Sequence, residues 1–205
     1  MAVPPDTTAP ALPAQCVIFD MDGTIVRPRL NFDQIRSALQ LSPGPILEQL
    51  DALSPPRRSE VERGLYRFEM EAAVHSELQP GARHLLTWLV NRGVKTALIT
   101  RNCRSAVDVV LVKHALSFDL VRSREDGPTK PAAEPILACC RRLGAEPHRT
   151  WTVGDHHYDI LAGRAAGTTT VLLVNGPRPP PYAAEGDHVI GSLEALPELL
   201  GLVSP

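Results

Sequence analysis

The sequence predicts an α/β fold: a parallel sheet covered by helices on both faces, with a small helical segment inserted after the first strand. Three observations point there. Short, uninterrupted apolar runs recur along the chain, as expected of strands buried on both faces. Amphipathic helical patterns separate them. One stretch, residues 27–79, holds no convincing strand at all.

The elements follow in order. Residues 1–15 are rich in Pro, Ala and Thr and lack the basic start and apolar run of a signal peptide, so they are expected to form a disordered tail. Cys16-Val17-Ile18-Phe19 is the first strand, and it runs into Asp20-Met21-Asp22-Gly23-Thr24. The next segment predicts helices at Phe32–Leu39, Pro45–Leu53 and Arg57–Glu77, separated by Pro43, Pro55 and Pro56. Its place directly after an Asp-rich turn suits a lid. Beyond it, strands at Val94–Thr100, Phe118–Val121, Thr150–Asp155, Thr170–Asn175 and His188–Ile190 alternate with helices at Gly81–Arg92, Ser105–Leu116, Ala132–Leu143 and Ile160–Ala166. Such alternation implies a Rossmann-like parallel sheet. Residues 16–26 and 80–205 are expected to build this core and residues 27–79 a small helical cap. In sheets of this kind chemistry gathers at the carboxyl ends of the strands.

Bulk properties narrow the function. The 205 residues suit one full-sized domain with a small insert. Aromatics are only 4%, so the core must be built from Leu, Val, Ile and Ala. The net charge is −2 and no block of basic residues occurs, which argues against nucleic acid or a membrane surface as partner. No apolar run approaches the ~20 residues that span a bilayer. Cys16, Cys103, Cys139 and Cys140 include no CxxC pair and read as reduced, mostly buried thiols of a cytoplasmic protein. Lysine is scarce: Lys95, Lys113 and Lys130 are the only three.

Four segments carry chemistry. In Asp20-Met21-Asp22-Gly23-Thr24, the glycine lets the chain turn so that both carboxylates face one crevice. One acid can then act as nucleophile and the other as proton donor and acceptor. An EF-hand is the rival reading; it fails because a buried strand precedes the motif and no acid stands at loop position 12. In Thr100-Arg101-Asn102, a hydroxyl at a strand end followed by free N–H groups can hold phosphate oxygens, although a threonine there also serves as a plain helix cap. Lys130 precedes a helix with proline in its first turn. A lysine at that end is disfavoured by the helix dipole, which points to a use for its charge. In Gly154-Asp155-His156-His157-Tyr158-Asp159, Asp155 follows a strand and Asp159 lies one helical turn on, on the same face. Zinc held by His156 and His157 is the less favoured reading: adjacent histidines diverge, and the acids suit a hard, oxygen-ligated cation.

Together these segments resemble the haloacid dehalogenase-like hydrolase superfamily, in particular its phosphoglycolate phosphatase-like phosphatases with a small helical cap. All four motifs occur in order between Cys16 and about Leu200. The resemblance implies that Asp20 is the nucleophile and a magnesium ligand. Asp22 would protonate the leaving group, activate water and give the metal its backbone carbonyl. Thr100, Arg101 and Lys130 would bind the phosphoryl group, Asp155 would complete the Mg2+ site and Asp159 would support it or pair with Lys130. Asp22 argues for phosphoryl transfer over dehalogenation, and Thr24 for hydrolysis over mutase chemistry. Electrostatics supports a cation independently. Each pair of like charges at ~4 Å costs about 4 kcal/mol at an effective dielectric of 20, so Asp20, Asp22, Asp155 and Asp159 cannot all ionise together without one.

The expected function is hydrolysis of a small phosphorylated metabolite through an aspartyl-phosphate, by a monomer or weak homodimer. Alternatives are a sugar-phosphate mutase and a catalytically inactive binding protein on the same fold. The insert's arginines, Arg27, Arg29, Arg36, Arg57, Arg58, Arg63 and Arg67, are either solvated surface or contacts for a second anionic group.

Overall fold

The computed structural model describes residues 14–201. Residues 1–13 of the expected tail lie outside the described residues. Its last two residues, 14 and 15, belong to the fold instead: Ala14 is buried, and Gln15 extends the first strand, its N–H donating to Arg149 O at 2.8 Å and its carbonyl accepting from Lys95 N at 2.9 Å.

Six strands form one parallel sheet in the order β3-β2-β1-β4-β5-β6. They are β1 Cys16–Phe19, β2 Lys95–Ile99, β3 Leu120–Arg122, β4 Thr150–Gly154, β5 Thr169–Leu173 and β6 His188–Ile190. The predicted Rossmann-like α/β fold is therefore present. Side chains alternate across a strand, so each strand feeds two cores. Val17 and Phe19 of β1 join Leu98, Val153 and Val171 on one face, under helices α4 (Ala82–Asn91) and α5 (Arg104–Lys113). Cys16 and Ile18 join Ala97 and Ile99 on the other, under α6 (Glu134–Leu143) and α7 (His157–Ala166). Burial of each large apolar side chain contributes about 1.5–3 kcal/mol. All four cysteines are free and buried.

Residues 27–79 contain α1 (Phe32–Ala38), α2 (Ile46–Leu50) and α3 (Pro55–Val74). Pro55 and Pro56 open α3 because the first helical turn needs no N–H from them. Ile35, Leu39, Ile46, Leu50, Val61 and Leu65 form a small core of their own. The far end of α3 differs: Ala73 is buried in the main core, with Met70 packed against it. The chain leaves and re-enters the sheet domain side by side. Arg27 N donates to Glu77 O at 2.8 Å and Gln79 N to Ile25 O at 3.0 Å.

Several predicted helix boundaries shift by a few residues, those of α6 and α7 among them. Helix α7 begins three residues earlier than its apolar pattern, because Asp159 reaches back to cap it. Helix α6 begins at Glu134, two residues later than predicted, and Lys130 lies ahead of it as expected. A short α8, Leu196–Leu199, closes the chain's main core.

Candidate active site

The strand order reverses between β1 and β4. In open α/β sheets ligands bind in the crevice beyond the strand ends at such a switch point. Asp20 directly follows β1 and Asp155 directly follows β4, so neighbouring strands deliver both acids to that crevice. Gly23 makes the approach possible. It has φ +82°, and a Cβ there would sit 1.9 Å from Asp155 Oδ2.

Lys130 joins the acids. Its Nζ donates to Asp20 Oδ1 at 2.5 Å, to Asp159 Oδ1 at 2.6 Å and to Ile99 O at 2.7 Å. All three ammonium protons have acceptors, and the side chain is 4% exposed. Burial alone lowers its pKa, but the charges of Asp159 and Asp20 more than offset this and hold it above the ordinary lysine value. The other oxygen of Asp159 accepts from His156 N at 3.0 Å, which closes the capping box of α7.

Carboxylate oxygens of Asp20, Asp155 and Asp159 lie within 4.8 Å of one another. Burial pushes Asp20 up to about 6, with Asp159 adding to the rise and Lys130 opposing it. Burial, then the charges of Asp20 and Asp159, push Asp155 up to about 8. Asp22 turns aside from this trio and accepts from Asn102 Nδ2 at 2.6 Å. Burial, then Asp20 and Glu69, push it up to about 7.

The donor set fits a hard divalent cation. It is made of carboxylate oxygens at the strand ends, with no thiol or imidazole among them. The two histidines have other partners. His156 Nδ1 accepts from Tyr158 N at 3.2 Å, while His157 stacks on Tyr182 and meets Glu185 at 2.9 Å.

Thr100 is buried at the end of β2, and its hydroxyl accepts from Asn102 N at 3.2 Å. Thr24 is also fully buried, with no hydrogen-bond partner for its hydroxyl among the described residues. Arg101, expected to bind phosphate, directs its guanidinium elsewhere. It donates to both Glu48 oxygens at 2.8 Å and to the Lys130 carbonyl, and lies over the Tyr158 ring at 4.8 Å. Its charge ties α2 to the loop behind Lys130.

Four residues at the site were not singled out from sequence: Asn102, Glu69, Gln79 and Asn175. Buried Glu69 on α3 pairs with Arg124 and accepts from Cys103 N at 3.2 Å. Asn175, at the end of an apolar run, donates to Asp155 Oδ2 at 3.0 Å. An amide in that position was the one available signal. A cleft of about 1420 Å³ opens between α2, α3 and the loops carrying Cys103 and Thr129; Asp20, Asp22, Lys130 and Asp155 are not among its lining residues. Arg58, Arg63 and Arg67 line it. Arg58 also meets Asp51 and Glu62; of the insert's other arginines, Arg27 and Arg29 meet Glu77, Arg36 meets Asp33 and Arg57 meets Glu60.

The chain is similar to known proteins in sequence and in fold. The family described as haloacid dehalogenase-like hydrolase matches residues 28–173, a span that begins after the Asp20–Thr24 turn. An uncharacterized hydrolase of Saccharomyces cerevisiae is 32% identical over 92% of this chain and 90% of its own length. The N-acetylmuramic acid 6-phosphate phosphatase of Pseudomonas aeruginosa is 28% identical over 79% of this chain and 82% of its own. The crystal structure of a hydrolase from Pseudomonas syringae superposes with a TM-score of 0.79 at 19% identity, covering 93% of this chain and 100% of that one.

Proposed function

Since this chain belongs to the haloacid dehalogenase-like hydrolase family, we propose that it is a magnesium-dependent phosphatase that cleaves a small phosphomonoester through an aspartyl-phosphate on Asp20. The relative that acts on N-acetylmuramic acid 6-phosphate supports phosphate-ester hydrolysis as the reaction. The observation that carries the reading is Lys130 Nζ bridging Asp20 and Asp159 beside Asp155.

Asp20 attacks phosphorus, and the bond to the leaving oxygen breaks. That oxygen takes the proton of Asp22, whose pKa near 7 leaves a substantial protonated fraction at neutral pH. Asn102 holds the carboxyl in place for this transfer. Water then attacks the phosphorus of the aspartyl-phosphate while Asp22, now a carboxylate, takes its proton. The bond from phosphorus to Asp20 breaks, and phosphate and free Asp20 result. The Thr100 segment holds phosphoryl oxygens, and the charge of Lys130 offsets theirs. Asp20, Asp155 and the Asp22 carbonyl would hold Mg2+, with Asp159 in support. When bound, the ion neutralises charge on the phosphoryl oxygens and on the gathered carboxylates. Helices α1–α3 serve as the small cap over residues 27–79.

The reading is tested with p-nitrophenyl phosphate and a panel of phosphorylated metabolites, with and without Mg2+. Wild type is expected to release phosphate only with the metal, and Asp20→Asn to release none. Equal inertness of both proteins across metals and substrates contradicts it, and an isomerised sugar phosphate in place of free phosphate indicates a mutase.

A further inference from the structure

We infer that Asn175 and Gln79 form an amide clamp that sets the Asp155 carboxylate for its divalent ion; the inference rests on the metal reading above. Gln79 Nε2 donates to Gly23 O at 2.9 Å and to Asn175 Oδ1 at 2.5 Å. Asn175 Nδ2 donates to the same Gly23 O at 2.8 Å and to Asp155 Oδ2 at 3.0 Å. Both protons of each amide nitrogen are thus committed, and the Gly23 carbonyl receives one from each residue.

This pattern leaves one orientation for each amide. A flipped Asn175 places its oxygen against the Gly23 carbonyl and the Asp155 carboxylate, acceptor facing acceptor. Gln79 blocks the flip by donating to Asn175 Oδ1. The donor therefore always meets Asp155 Oδ2, and Oδ1 has no hydrogen-bond partner among the described residues. One oxygen is tethered and the other presented. The same two amides pin the turn that follows Asp22, where Gly23 has no room for a side chain beside Asp155. Three segments far apart in sequence meet here: the turn after β1, the chain's exit from the helical insert, and the end of β5. Asn175 lies at an exposed position, where packing does not dictate an amide. Its four-centre bonding with Gln79 is the reason for one.

Both are positioning residues: they touch a ligand-bearing side chain, not the substrate. Partners of this kind typically contribute about 10- to 100-fold to metal affinity. The test is isothermal titration of the full chain with Mg2+, and Mn2+ binding followed by electron paramagnetic resonance. Asn175→Ala is expected to weaken both ions at least about tenfold, with little change in melting temperature in EDTA. Gln79→Met is expected to weaken them less. The double variant should lose less than the sum of the two single losses, because Gln79 acts in part through Asn175. Wild-type affinity retained in Asn175→Ala, or fully additive losses in the double variant, overturns the clamp and leaves the metal reading intact. A wild type that binds neither ion overturns the metal reading and the clamp with it.

Discussion

Lys130 Nζ lies 2.5 Å from Asp20 Oδ1, although the two residues are 110 positions apart in the chain. Three acceptors surround one compact ammonium, so the site is built for a point charge and not for a planar fork. Lys130→Met is expected to lower kcat by about 100- to 1000-fold, the usual loss when one preorganised donor is removed. Lys130→Arg should not restore it. Steady-state kinetics checks both, and near-normal turnover in the arginine variant contradicts the geometry.

Gly23 tests how closely the two acid-bearing turns must approach. A Cβ there meets Asp155 Oδ2 at 1.9 Å in a backbone of positive φ. Gly23→Ala should destabilise the chain by at least about 1–2 kcal/mol from backbone strain alone. It should also displace Asp155 and weaken Mg2+ binding. Urea denaturation and metal titration measure the two effects separately.

The raised carboxyls make stability depend on pH and metal together. Asp20, Asp22 and Asp155 stand at about 6, 7 and 8, raised first by burial and then by neighbouring carboxylates. An unfolded aspartate titrates near 3.9. Between about pH 4 and 8 the folded chain therefore holds protons that the unfolded chain has released, and metal-free stability falls as pH rises. Mg2+ favours the ionised forms, so its stabilisation should grow over the same interval. Melting temperatures in EDTA and in Mg2+ at pH 5, 6.5 and 8 are expected to diverge; a constant gap contradicts the shared site.

Arg101 and Glu48 separate a surface ion pair from a structural tie. Glu48 is half exposed, so the pair itself contributes about 0–1 kcal/mol. Glu48→Ala should cost no more than that. Arg101 also donates to the Lys130 carbonyl and covers Tyr158, so Arg101→Ala should cost more, about 1.5–3 kcal/mol by the usual worth of charged hydrogen bonds. Equal losses in chemical denaturation would show that Arg101 acts through Glu48 alone.

The residues that could be read from sequence are those whose signal is local. A run buried on both faces, ending in a glycine turn, located Asp20 and β1 together. The four-residue spacing of Asp155 and Asp159 predicts that both face one crevice; Asp155 stands in the turn ahead of α7, and Asp159 in its first turn does reach Lys130. What was illegible depends on partners brought in by the fold. Nothing near Arg101 reveals that Glu48, on a helix 53 residues earlier, claims its guanidinium. Asn175 and Gln79 are ordinary amides until β5 and the insert's exit meet at Gly23. Pro55 and Pro56 read as breaks, whereas they start α3, since a proline's local signal marks a boundary but not which side the helix takes.

The claim on which the rest depends is that Asp20 carries the phosphoryl group during turnover. A rapid acid quench of the enzyme with radiolabelled phosphomonoester and Mg2+, followed by peptide mapping, measures this directly. The account predicts acid-stable, base-labile label on the peptide containing Asp20, and none in Asp20→Asn. Steady phosphate release with no label on that peptide, or label retained by Asp20→Asn, contradicts it.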